Sequence, residues 1–435
     1  MSEKKNYSEY AARRKAFMER MGAGIAILHS CPQFSRSSDS LEFTYRQDSN
    51  FYYLTGFEEP EAICVLAPEH PEHQYILFVA PRDPLAETWT GRRAGPEGAM
   101  SEYGANIAYP LATFDEKMPQ YLKGCRTLYY SSGKALSFDD RMLELLKRFH
   151  YSFAPRQIVD PMFLFSEMRV RKSPEELDRI RKAAQISAQA YREVLKALKP
   201  GMYEYEVQAI LSYVYQKNGS PRHGYAPIVG TGANATILHY DKNDSLMRDG
   251  EMVLIDSACE YQYYSADITR TYPVSGHFSP AQRKLYEMVL NALETAIAMV
   301  RPGITLTDIH NHTLEVLTTG MVEHGILKGD VNKLIEEKAY QPFYGYFTSH
   351  WLGLDVHDLG PYKRQVIWNE DLKLEPGMVF TIEPGIYIAE GTEGVSPEYW
   401  NIGIRIEDDI VVTEQGYENL TLDAPKSLAE IEGYH

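Results

Sequence analysis

Gly250-Glu251-Met252-Val253-Leu254-Ile255-Asp256 and Gly377-Met378-Val379-Phe380-Thr381-Ile382-Glu383 are written to one pattern. Each opens on a turn glycine, runs on as a mostly apolar, β-prone segment and ends on a carboxylate. A buried strand rarely ends on an unpaired acid, because stranding that charge costs several kcal/mol. Two such strands predict acids gathered around positive charge, which we read as a pair of metal ions.

The flanking sequence repeats as well. Ser173-Pro174-Glu175-Glu176 predicts a helix start, with serine as N-cap, proline at the first helical position and glutamate three residues past the cap. That helix carries Leu177, Ile180, Ala184, Tyr191, Val194 and Leu198 and ends at Lys199-Pro200-Gly201. A second helix uses Val207, Ile210, Leu211 and Val214 and stops at Asn218-Gly219. Ser279-Pro280-Ala281-Gln282 opens a third with the same cap logic, running to Arg301-Pro302-Gly303, and a fourth spans 307 to 324. Each helix pair later gives way to one glycine-to-acid strand. The spacing predicts a duplicated unit whose two copies pack about a pseudo-twofold axis and bring their acids face to face.

Before Ser173 the pattern differs. An amphipathic helix from Tyr7 to Met21 precedes strand segments at 24–28, 62–66, 75–79 and 128–130, with helical segments such as 139–149 between them. Such alternation predicts an α/β domain, with neither a phosphate loop nor a nucleophile elbow. The basic run Arg169-Val170-Arg171-Lys172 marks the boundary, giving domains of 1–172 and 173–435 in a chain of 435 residues. That length exceeds what one core usually serves.

Hydrophobic residues make up 44% and charged residues 24%, which is ordinary for a globular protein. The net charge of −16 argues against a nucleic-acid partner, which calls for clustered Lys and Arg. Its plainest reading is a solvated acidic surface, with some acids gathered for metal. Cys31, Cys64, Cys125 and Cys259 are scattered with no C-x-x-C pair, a poor zinc or redox pattern that suits a reducing compartment. The polar start Met-Ser-Glu-Lys-Lys-Asn-Tyr is unlike a signal core, and no apolar run is long enough to span a membrane. The expectation is a cytoplasmic protein.

Four acids carry the chemistry. Asp256 ends the first strand, and Asp267 follows in the β-prone Tyr263-Tyr264-Ser265-Ala266-Asp267-Ile268-Thr269-Arg270-Thr271, which predicts an antiparallel partner strand. Glu383 ends the second strand, and Glu407 is bracketed by Ile404, Ile406 and Ile410. Asp408 and Asp409 read as turn or surface acids. Alone, Asp267 reads as a surface partner of Arg270; with the others, on four strands, it needs a cation. His350 and His357 sit in the turn-like Ser349-His350-Trp351-Leu352-Gly353-Leu354-Asp355-Val356-His357-Asp358, and His239 follows the glycine-rich Gly230-Thr231-Gly232-Ala233-Asn234. One nitrogen with several carboxylate oxygens is a rather hard ligand set, best suited to Mn²⁺, with Co²⁺ and Zn²⁺ also compatible. Two such ions would lower the pKa of a shared water and polarise a carbonyl, the equipment for amide hydrolysis.

These motifs, with Tyr45-Arg46-Gln47-Asp48-Ser49-Asn50-Phe51-Tyr52-Tyr53-Leu54-Thr55-Gly56-Phe57, Trp89-Thr90-Gly91-Arg92-Arg93, Leu238-His239-Tyr240, Glu383-Pro384-Gly385 and Arg405-Ile406-Glu407-Asp408-Asp409, resemble the aminopeptidase P (Xaa-Pro aminopeptidase) family. That family belongs to the creatinase/prolidase/methionine aminopeptidase superfamily, peptidase family M24, and the likeness runs essentially end to end. It implies an α/β (α+β) class: an N-terminal creatinase-like α/β domain, then a duplicated pita-bread catalytic domain. It implies Asp256, Asp267, His350, Glu383 and Glu407 as ligands of two divalent ions, Asp267 and Glu407 bridging, and Glu383 also moving the proton of a hydroxide held between the metals. His239 and His357 would contact the substrate and the tetrahedral intermediate. Arg405 and Tyr387 would stand at the substrate-binding edge, Trp89 would reach a neighbouring subunit's site, and Asp39 would help fix the substrate amine. Relatives form dimers or tetramers, so a homo-oligomer is implied. Relatives commonly carry a further histidine where this chain has Tyr346; a phenol donates a hydrogen bond but is no cation near neutral pH, which touches substrate detail and rate, not the ligands.

The implied substrate is a peptide with proline second, whose bond resists ordinary aminopeptidases because proline lacks the N–H and constrains its neighbour. A prolidase shares the metal ligands but prefers dipeptides. A metal-free creatinase-like enzyme would lack the acid set, and an inactive binding scaffold would have lost ligands, whereas all are present here.

Overall fold

A computed structural model describes residues 7–38, 41–148, 155–365 and 370–434. Two compact units divide the chain, Met1–Met168 and Arg169–His435. The basic run at 169–172, where the sequence suggests a division after Lys172, belongs to the second unit. Arg169 is buried and pairs with Asp355 (2.8 Å) and Asp358, while Lys172 reaches Asp358 at 3.2 Å. An unpaired buried cation is so costly that these partners decide the division.

The first unit is built on a six-stranded sheet in the order Ile107–Pro110, Tyr75–Val79, Ile63–Leu66, Ile25–His29, Thr127–Tyr129, Gln157–Val159. Its centre is antiparallel and its flanks parallel. Tyr75–Val79 is buried at every residue, as expected of a continuous apolar run covered on both faces. Phe114, Met118, Leu122 and Met142 from the surrounding helices close its core.

The second unit repeats a helix pair followed by a small sheet. Helices Pro174–Ala197 and Glu204–Lys217 pack together, as do Pro280–Ala298 and Leu306–Glu323. Ser173 and Ser279 each close a capping box, with Glu176 and Gln282 respectively, so the repeated cap logic is physical. Each cap is worth about 1 kcal/mol. One antiparallel sheet holds Ile228–Thr231, Met252–Asp256 and Thr269–Pro273, and the other holds Val379–Ile382, Asp408–Val412 and Tyr417–Asn419. A single apolar core runs through both halves, from Val194 and Leu211 to Phe380 and Ile410.

Candidate active site

The four acids hold equivalent places in the two halves. Asp256 is the last residue of Met252–Asp256, and Asp267 lies two residues before Thr269–Pro273; Asp256 faces Thr269 across the ladder. Glu383 follows Val379–Ile382, and Glu407 precedes Asp408–Val412; Ile382 faces Asp408. The expectation of four acids on four strands needs correction, since only Asp256 lies within a strand. The other three occupy the links at strand ends, and the expected strand through Tyr263–Thr271 is broken: Tyr264–Ser265 pairs in a different sheet. Leaving the ladder frees those carboxylates to turn into the seam. The halves are stitched there by Glu407 N–H donating to Thr269 O (3.0 Å) and Thr269 Oγ1 donating to Glu407 Oε2 (2.7 Å).

His350 stands among the acids. Its Nε2 lies 3.3 Å from Asp267 Oδ2, 3.6 Å from Glu383 Oε1 and 4.0 Å from Glu407 Oε1. His350 Nδ1 lies 3.1 Å from the carbonyl oxygen of Trp351, which can only accept, so Nδ1 carries a hydrogen and Nε2 is the nitrogen turned toward the acids. Burial pushes the Glu383 carboxyl up to about 8, against the pull of His350 and Arg405. Burial and neighbouring acids raise Glu407 well above the usual carboxylate range, and burial raises Asp256 despite Arg405. Burial works against a charged His350, yet Asp267 and Glu383 carry its pKa to about 9. Negative charge is thus crowded here with too little to balance it.

The residues fit divalent metal. Glu407 Oε1 and Asp256 Oδ1 are buried without a hydrogen-bond partner, a costly condition that a cation relieves. Ligand atoms of Asp267, His350 and Glu407 already lie within 4.8 Å of one another. Oxygen-rich ligands with a single imidazole match a hard or borderline cation.

Around the acids lies a shell of hydrogen bonds. Arg405, 4% exposed, holds Asp256 Oδ2 at 2.6 Å and donates to Thr269 Oγ1 (3.1 Å) and the Tyr387 hydroxyl (2.7 Å). Tyr346 and Tyr387 share a hydrogen bond of 3.0 Å, and Tyr346 also donates to the Glu383 carbonyl at 3.0 Å. Tyr346 thus places a phenol against the backbone of Glu383. Tyr225 donates to Asp267 Oδ1 at 2.6 Å, a contact that nothing in the sequence around Tyr225 foretells. Asp408 and Asp409, expected in a turn or at the surface, are fully buried in a strand. Asp408 balances Arg270 (2.7 Å) and Lys426, and Asp409 Oδ2 accepts the Asp267 N–H at 2.9 Å. Arg270 therefore serves Asp408, and Asp267 is left for the seam.

A cavity of about 850 Å³ opens onto this cluster, lined wholly by residues of the second unit. Asp256, Asp267, His350, Glu383, Arg405 and Glu407 line it together with His239 and His357. The His350 and His357 rings are 4.3 Å apart, and burial together with His350 holds the His357 imidazole below its usual pKa. Tyr387 touches the site through Arg405 and Tyr346. Trp89 is 89% exposed on helix Pro84–Thr90 of the first unit, and Asp39 lies outside the described residues.

Residues 178–414 match the model of metallopeptidase family M24, and residues 10–129 match that of the aminopeptidase P N-terminal domain. The Xaa-Pro aminopeptidase of Escherichia coli is 42% identical, over 98% of this chain and 96% of its own. Aminopeptidase PepP of Pseudomonas aeruginosa superposes with a TM-score of 0.95 at 43% identity, covering 98% of this chain and 97% of that one. Zn-substituted E. coli aminopeptidase P in complex with product gives a TM-score of 0.95 at 41% identity, covering 99% and 98%.

Proposed function

The chain belongs to metallopeptidase family M24, and from that membership we propose that it is a metal-dependent Xaa-Pro aminopeptidase, releasing the first residue of peptides whose second residue is proline. One observation carries the reading: Asp256, Asp267, His350, Glu383 and Glu407, from both halves of the repeat, line one cavity. These five residues would hold two divalent ions, and Mn²⁺ is the metal that an oxygen-rich set with one imidazole suits best. Such ions, when bound, polarise the scissile carbonyl and lower the pKa of the attacking water.

The chain's own groups do the rest. Glu383 takes a proton from the attacking water and returns it to the prolyl nitrogen. That nitrogen carries no hydrogen in the peptide and must gain one to leave as a secondary amine. The water oxygen joins the carbonyl carbon, and the C–N bond breaks as the nitrogen takes the first proton. The second proton passes from the new carboxyl group to the released prolyl amine, leaving a carboxylate and an ammonium. His239 and His357 donate hydrogen bonds to the carbonyl oxygen as charge builds there. Arg405 fixes Asp256, and Tyr387 orients Arg405.

Exposed Trp89 suits a contact made from one subunit to the site of another in a dimer or tetramer. Light scattering on the purified chain, with Trp89→Ala beside it, tests both statements. Four unpaired cysteines suit a cytoplasmic setting. No helix among the described residues is long and apolar enough to cross a membrane. The deciding assay offers a Xaa-Pro-Xaa tripeptide and a Xaa-Pro dipeptide to the Mn²⁺-loaded protein. Cleavage of the tripeptide is expected, whereas activity confined to the dipeptide makes the protein a prolidase.

A further inference from the structure

His239 sits on a segment with little to hold it. From Ile237 to Lys242 every residue is exposed except Tyr240, and Ile237 and Leu238 are 52% and 38% exposed although apolar. The segment follows the 3-10 turn Gly232–Thr236 and enters no strand. Even so, Leu238, His239 and Asp241 all line the cavity. Something must fix their backbone if His239 is to meet a substrate in one orientation.

That something is a carboxylate from another element. Glu204, the first residue of helix Glu204–Lys217, is 0% exposed. Its Oε1 accepts the Thr231 N–H (2.8 Å) and an Asn234 Nδ2 hydrogen (3.1 Å). Its Oε2 accepts the Tyr240 hydroxyl (2.9 Å) and the Ser245 N–H (2.9 Å). These four donors are neutral, and they bracket the segment on both sides of His239. One helical turn on, Gln208 Oε1 accepts from Asn243 Nδ2 at 3.0 Å, and Asn243 Oδ1 accepts the Val229 N–H at 2.9 Å. Asn243 itself adopts the left-handed conformation (φ 49°) that asparagine tolerates better than most residues. The Tyr240 ring packs with Ile228, Ala235, Leu254 and Tyr387, so the residue after His239 is fixed at both ring and hydroxyl.

A buried acid without a cation is a costly way to hold a surface segment, since apolar packing would stabilise the fold at less risk. What the carboxylate adds is direction: four hydrogen bonds to an ion are shorter and stronger than neutral ones and define a single arrangement. We propose that Glu204 is a positioning residue of the peptidase site, acting through Tyr240 to hold His239 in its productive orientation. This rests on the assignment of His239 as a substrate contact. The role is distinct from stability because the benefit passes through one side chain, and removing that side chain removes the benefit.

The test is a double-mutant cycle on the full-length, Mn²⁺-loaded protein, reading kcat and KM on a Xaa-Pro-Xaa tripeptide together with metal content and Tm. Glu204→Gln keeps the shape and loses the charge, and Tyr240→Phe removes one hydroxyl and keeps the ring. Each is expected to lower kcat/KM about fivefold to tenfold with metal content unchanged. In a His239→Ala background each should cost less than about twofold. Equal losses in both backgrounds, or loss of bound metal, overturn the proposal. If Glu204→Gln does not fold, Tyr240→Phe decides the matter by the same comparison. If His239→Ala leaves kcat/KM intact, the assignment of His239 has failed and the proposal goes with it, whereas an impaired His239→Ala with additive partners sinks the proposal alone.

Discussion

Glu383 and Asp256 hold matching places in the repeat, yet their surroundings give them unequal duties. Asp256 gives one oxygen to Arg405 at 2.6 Å and keeps the other for metal, which leaves it no freedom to carry a proton. Glu383 has no arginine bonded to its side chain and lines the cavity beside His350, 3.6 Å from its Nε2, so its carboxylate is placed to take a proton from the attacking water. Glu383→Ala is therefore expected to cut turnover of a proline-containing tripeptide by about 10²–10⁴ while circular dichroism and Tm stay close to the parent. Asp256→Asn should lose bound metal while keeping the proton carrier, so elemental analysis together with turnover at excess Mn²⁺ separates the two variants. Tyr346 lends itself to a finer test. Its hydroxyl donates to the Glu383 carbonyl at 3.0 Å, so Tyr346→Phe removes about 1 kcal/mol of positioning and should lower kcat by less than about tenfold with metal content intact. A loss as deep as that of Glu383→Ala would mean that the phenol takes part in proton transfer itself.

At the scale of elements, the seam depends on backbone approach as much as on side chains. Gly403, in strand Ile402–Arg405, pairs with Tyr387 and lies against the 3-10 turn Gly232–Thr236. A Cβ there would sit 1.9 Å from the Ala235 carbonyl oxygen and 2.9 Å from the Thr236 nitrogen, and backbone atoms cannot step aside as a side chain can. Gly403→Ala should cost more than about 2 kcal/mol and lower Tm by roughly 5 °C, read by calorimetry, with KM rising as the His239 segment shifts. Glycine positions of this kind show how far the sequence could be read. Caps at Ser173 and Ser279 were legible because a capping box is a local code, and the helices they open are where the spacing puts them. The glycine-to-acid strands were legible because a buried charge at a strand end has few explanations. In sequence, Asp408 and Asp409 read as peripheral, since an acid pair beside a strand looks like a turn until Arg270 and Lys426 arrive from distant sequence. Tyr225 and Glu204 were silent for the same reason: their partners lie 42 residues away at Asp267 and 27 to 41 residues away at Thr231 through Ser245.

For the whole molecule, the crowded acids tie stability to pH and metal together. Burial lifts Glu383 to about 8 and Glu407 well above the usual carboxylate range, so without metal the folded chain holds protons that the unfolded chain has already released. Unfolding then releases protons, and the stability of the metal-free protein falls as pH rises from about 5 to about 8. His350 acts in the same direction over a higher interval: the acids raise it, against burial, from 6.5 to about 9, and the stabilising imidazolium is lost as pH climbs through that value. Asp408, although buried, is held well below the usual range by Arg270 and Lys426, so its contribution is lost only at pH values under this window. Metal reverses the slope, because ligands must be deprotonated to bind it and binding grows stronger as protons leave. Protein treated with chelator is therefore expected to melt several degrees lower at pH 8.0 than at pH 5.5, and the same protein with excess Mn²⁺ several degrees higher at pH 8.0. Titrating Mn²⁺ in buffers of different ionisation enthalpy should show proton release on binding at pH 7. Equal melting temperatures at the two pH values with and without metal would mean that the acids of the seam are not the ligands.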